Sequence, residues 1–144
     1  MLNQAAIKLL LADDEPAVRD RLALVLTSAG YDVSAAEHGI DVIVHLLKEI
    51  PDIVLYALNL PHVPGYDLLQ VIRHRHPEVG VIALARSEAD GAGPEILLAD
   101  YIYIKGQTTP EVLLKRVAEL IENSSANAVK HQNGFGRAIS LRAS

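Results

Sequence analysis

Five short apolar runs, barely interrupted by polar residues and separated by longer stretches of helical period, restrict this chain more than any other feature. A strand with one wet face alternates apolar and polar residues. A strand buried on both faces does not, and it requires a parallel sheet with helices packed on each side. Residues 7–12, 32–36, 53–57, 81–85 and 101–104 are the expected strands. The architecture this predicts is a single doubly wound α/β domain, a five-stranded parallel sheet with about five helices. With 144 residues, half of them hydrophobic, the chain can bury a real core but cannot hold a second folded domain of similar size.

The helices have local signals of their own. Pro16 suits a first turn, and Val18, Leu22, Val25, Leu26 and Ala29 then form one apolar face until Gly30 stops it. A second helix is expected over 40–49 and a third over 66–75, ended by Pro77. The last helix starts with Thr109 as cap and Pro110 in the first turn, shows Leu113, Val117, Leu120 and Ile121 on one face, and offers an i,i+4 pair in Glu111 and Lys115. Between the fourth and fifth strands, Gly91, Gly93 and Pro94 interrupt the segment where a fourth helix belongs, so that helix is expected to be shortened or irregular, starting only near Pro94. The pattern therefore divides the chain into a domain over 1–122 and a flexible tail or linker over 123–144.

Charge and cysteine content exclude several function classes. There is no cysteine, so disulfides, thiolate zinc sites and cysteine nucleophiles are unavailable. The net charge is −5, and all of the acids precede Asn123, an acidic body that does not suggest direct nucleic-acid binding by the domain. The tail carries only Lys130, Arg137 and Arg142 as charges, which reads as a solvated linker, or less simply as a contact for an acidic partner or a phosphate backbone. The beginning of the chain lacks a basic leader and no apolar run approaches membrane-spanning length, so the expectation is a cytoplasmic protein that does not enter a membrane.

In an open parallel sheet, chemistry gathers at the carboxyl ends of the strands. Here those ends are Asp13-Asp14, Ala57, Ala85 and Lys105. Together with Asp13-Asp14-Glu15-Pro16, the segment from Pro51 to Pro61, Gly65-Tyr66-Asp67-Leu68-Leu69 and the approach from Ala99-Asp100 to Lys105, they resemble the receiver domain of response regulators, the CheY-like family with a flavodoxin-like fold. In that family an aspartate ending the third strand accepts a phosphoryl group from a histidine kinase. Ala57 stands at that position and cannot accept it.

What the resemblance implies for the rest of the site follows residue by residue. Asp14 would ligate Mg²⁺ directly, Asp13 through water, Asn59 through its backbone carbonyl, and Lys105 would pair with the phosphoryl group. The switch hydroxyl of the family maps to Ala85, its switch aromatic to Ile102, and the proline after its lysine to Gly106, where the usual cis bond should be lost. The resemblance therefore points to a degenerate pseudo-receiver in a two-component phosphorelay: no enzyme, no resident cofactor beyond a vestigial, weak or absent Mg²⁺ site, and action through a protein partner or a homodimer. The face expected to carry that contact is the fourth helix, the fifth strand with Tyr101, Ile102 and Tyr103, and the fifth helix. Two other functions are compatible with the sequence: the regulatory part of a longer DNA-binding regulator, and phosphotransfer to another residue, for which Asp52 and Asp67 are not expected to face the site.

Plainer readings accompany these. Asp13 and Asp14 can simply cap the first helix, and Lys105 can be their ion-pair partner, reaching across the empty nucleophile position. His74 and His76 do not share a helix face, and His62 reads as a solvated loop histidine at the mouth of the site. Tyr101 and Tyr103 point to one side of the strand, to be covered by a helix or used for recognition.

Overall fold

The computed structural model of the chain describes residues 6–60, 65–90, 93 and 98–130. Its elements run β1 (Lys8–Ala12), α1 (Pro16–Ser28), β2 (Asp32–Ala36), α2 (Gly39–Lys48), β3 (Ile53–Ala57), α3 (Gly65–Arg75), β4 (Gly80–Ala85), β5 (Tyr101–Ile104) and α4 (Pro110–Lys130). All strand pairs are parallel, in the order β2-β1-β3-β4-β5. Right-handed crossovers on a sheet of this order put α2 and α3 on one face and α1 on the other, where α1 meets α4. The three central strands carry the uninterrupted apolar runs and are buried throughout, apart from the first residues of β1 and β4.

Each predicted strand is present to within one residue. α1 presents Leu22 and Leu26 to the core, with Val18 and Val25 half-buried and Ala29 exposed. It ends in a Schellman turn: Gly30 has φ 99°, its N–H donates to the Thr27 carbonyl at 2.9 Å, and the Tyr31 N–H donates to the Leu26 carbonyl at 3.3 Å. Thr109 caps α4, its Oγ1 accepting from the Val112 N–H at 3.2 Å.

Three expectations need correction or placement. α4 does not stop at Glu122 but continues to Lys130, because a formed helix propagates at little cost and needs no apolar stripe to do so. Glu111 and Lys115 are both exposed and form no ion pair, since on a wet surface the entropy of holding two long chains outweighs a screened attraction. Residues 94–97, where the fourth helix was expected to begin, and His62 lie outside the described residues. Among the described residues there are four helices, and none is long and apolar enough to cross a membrane.

The pole opposite the strand carboxyl ends is held by Arg73. Its Nε donates to the Leu98 carbonyl at 2.7 Å, Nη1 to the Val79 carbonyl at 2.7 Å, and Nη2 to Asp100 Oδ2 at 2.6 Å. Asp100 Oδ2 also accepts from the Val81 N–H at 2.8 Å. One guanidinium thus ties the end of α3, the start of β4 and the entry to β5.

Candidate functional site

Strand register places the sequence-predicted residues on one edge. Ala12 is aligned with Tyr56, so Asp13 follows beside Ala57, and Ala57 is aligned with Leu84. Ala85 is aligned with Ile104, and its carbonyl accepts from the Lys105 N–H at 2.9 Å. Asp13, Ala57, Ala85 and Lys105 are therefore brought together. Ala57 and Ala85 are 1% and 0% exposed, so the middle of the edge is lined by methyl groups that offer neither a nucleophile nor a hydroxyl.

Asp13 is the one buried charged residue among the described residues. Its Oδ1 accepts from the Glu15 N–H at 3.0 Å, a turn of the kind aspartate makes two residues ahead of itself, and its carbonyl accepts from Arg19 Nη1 at 2.8 Å. Its Oδ2 lies 2.9 Å from Lys105 Nζ, within ion-pair reach but without an aligned hydrogen bond. Lys105 Nζ also donates to Glu15 Oε1 at 2.9 Å. Burial alone would lower the Lys105 pKa; the close carboxylates of Asp13 and Glu15 outweigh it and hold the ammonium above its usual value.

The arrangement decides between readings that the sequence left open. Helix capping by Asp13 or Asp14 is not seen: Glu15 is the residue preceding α1, and no side chain caps that end. The ion pair from Lys105 to Asp13 is formed, with Glu15 as a second acceptor that sequence reasoning missed. The signal for it was present, a third acid directly after Asp13-Asp14. Asp14 is half-buried and has no ion pair among the described residues, Asn59 is exposed, and Gly106 has φ 82°, a conformation closed to the proline the family places there. Asp52 accepts from the Lys8 N–H at 2.8 Å at the far end of the sheet, away from this edge. Tyr103 is buried in the core, and Tyr101 is covered by α4: Arg116 stacks 4.8 Å from its ring centroid, and its hydroxyl donates to Glu119 Oε1 at 3.1 Å. α4 thus packs over Tyr101, while Tyr103 belongs to the core.

Whether these residues fit a magnesium ion can be judged from the donors. A hard dication needs several oxygens, with enough carboxylate charge to offset its dehydration. The Asp13 oxygen that lacks an aligned donor faces an ammonium instead, Ala57 supplies nothing, and no cluster of three or more acidic or histidine ligands exists among the described residues. The donor set does not fit a tightly held metal.

Fold and edge together define a receiver-type signalling domain. The chain belongs to the response regulator receiver domain family, which matches residues 9–129. It is similar to the transcriptional regulatory protein CreB of Escherichia coli (33% identical, over 64% of this chain and 42% of CreB). It is also similar to the sensor histidine kinase RcsC of Salmonella typhimurium (42% identical, over 56% of this chain and 9% of RcsC). The chain thus spans less than half the length of either relative. A CheY-like receiver domain from Methanospirillum hungatei shares the fold with a TM-score of 0.76 at 22% identity, over 85% of this chain and 98% of that one.

Proposed function

We propose that this receiver domain acts without phosphorylation, as a protein-binding module whose site is held closed from within. The observation that carries the reading is the pair of Ala57, buried where a phosphoacceptor would stand, and the Lys105 ammonium seated against Asp13. A receiver switches when a phosphoryl group and a metal recruit the lysine and a hydroxyl to new positions. Here the acceptor and hydroxyl are methyl groups, and the lysine already has two carboxylate partners. The working surface is the edge strand β5 with α4, where Ile102 is half-buried and Tyr101, Arg116 and Glu119 form an ordered cluster. β5 is an edge strand of the sheet among the described residues, which favours a protein ligand or a second copy.

Incubation with acetyl phosphate and Mg²⁺, followed by intact-mass measurement, tests this. The wild-type chain should remain unmodified while Ala57→Asp gains a phosphoryl group; a stable adduct on the wild type overturns the reading. Association with the partner should be weakened by Tyr101→Ala and unchanged by Ala57→Glu. A second reading, the regulatory part of a longer transcriptional regulator, is favoured by the similarity to CreB, of which this chain covers 42%. Within it, the same closed site would make the regulator constitutive.

A further inference from the structure

The outer face of α2 is unusually apolar for a helix on a protein surface. Ile40 is 55%, Val44 43% and Leu47 80% exposed, and Ile50, just past the helix end, is 41% exposed. Their spacing of four and three residues puts Ile40, Val44 and Leu47 in one stripe, while Val42 and Leu46 carry the separate stripe that faces the sheet. α2 therefore has two apolar sides, of which the fold uses one. Isolated exposed leucines are ordinary; a contiguous stripe marks a contact surface.

The charges beside the stripe identify its occupant. With Val44 as an a position, Ile40 and Leu47 are d positions, and Asp41 and Lys48 are both e positions. When two such helices pack antiparallel about a two-fold axis at Val44, e positions oppose each other. Asp41 of one copy then meets Lys48 of the other, twice, and Ile40 meets Leu47 on either side of a central Val44 pair. Lys48 is exposed and forms no ion pair among the described residues. Asp41 Oδ2 accepts from the His38 N–H at 3.2 Å and lies 3.3 Å from the His38 ring Nδ1, which leaves Oδ1 of this exposed carboxylate for a lysine of the second copy. A parallel pairing would instead set these e positions beside the uncharged g positions Ile43 and Ile50, with no such charge match.

We infer that α2 is a self-association surface, pairing antiparallel with α2 of a second copy of this chain through Ile40, Val44 and Leu47. This lies on the opposite face of the sheet from α1 and α4, so it does not depend on the closed phosphorylation site. A ten-residue helix pair buries less than the roughly 1,200 Å² of a stable interface, so the dimer is weak, with a Kd in the micromolar range or above.

Sedimentation equilibrium on the whole chain, from about 10 µM to about 1 mM, spans that range. The wild type should dimerise. Leu47→Glu, at a position already exposed, should raise Kd at least about tenfold. Lys48→Glu should weaken the dimer, and adding Asp41→Lys to it should restore association, with circular dichroism confirming that α2 still folds. Monomeric wild type throughout, a dimer indifferent to Leu47→Glu, or a double variant no tighter than Lys48→Glu each overturns the inference.

Discussion

Lys105→Met isolates the contact on which the closed site depends. It keeps the length and apolar stem of the side chain and removes the charge beside Asp13, which is 0% exposed. Removing one partner of a buried ion pair costs about 3–5 kcal/mol. The Asp13 carboxylate still accepts from the Glu15 N–H, and the Lys105 side chain is 13% exposed at the rim, so about 2–3 kcal/mol is the expected loss here. With no tryptophan in the chain, far-UV circular dichroism is the readout, and a urea slope near 1.5 kcal/mol/M converts the loss to a midpoint lower by about 1–2 M. Asp13→Asn keeps the acceptor for the Glu15 N–H and removes the stranded charge, so the double variant should recover most of the stability. The cycle should return a coupling of about 2 kcal/mol. Glu15→Gln, on a side chain 44% exposed, should cost less than about 0.5 kcal/mol. Additive losses, or a Lys105→Met cost below about 0.5 kcal/mol, would refute the view that this ammonium is the internal partner of Asp13.

Arg73→Ala should cost about 2 kcal/mol, because it strips the carbonyls of Val79 and Leu98 of a charged donor; denaturation that shows a neutral change would mean water replaces the guanidinium freely. On the alkaline side, burial and the Glu119 bond push the Tyr101 phenol up, and Lys105 is also raised, so both bind protons more tightly in the folded chain. Their stabilisation is complete below about pH 10 and lost as pH rises through the raised values, which urea midpoints against pH, with Tyr101→Phe as control, will show or contradict. Ala57→Asp should bind Mg²⁺ more tightly than the wild type by calorimetry; equal affinities would sink the argument from donor count.

The fold was legible because its central strands are buried on both faces, so 9–11, 53–57 and 81–85 announce themselves without tertiary information. The edge was legible too, since strand ends converge wherever the sheet is parallel. What escaped was set by distance in sequence or by indifference to it. Arg73 looks like any basic residue in a last helical turn; its partners, Leu98 and Asp100, lie 25 and 27 residues away. The continuation of α4 to Lys130 follows a stretch of sequence without helical periodicity. Alternation along β5 showed that Tyr101 and Tyr103 share a side, but the cover over Tyr101 came from Arg116 and Glu119, one turn of a helix whose docking angle no local pattern encodes.

The depth of Asp13 has a further consequence for how the domain behaves in solution. Surface pairs such as Lys8–Glu49 and Arg86–Asp90 sit in the ionic atmosphere and fade as salt rises. The contact between Lys105 and Asp13 is sheltered from mobile ions, because one partner is wholly out of water and the other nearly so. A rise in ionic strength would loosen the periphery while leaving the carboxyl edge of the sheet as it was. A domain built this way keeps this contact as ionic strength changes.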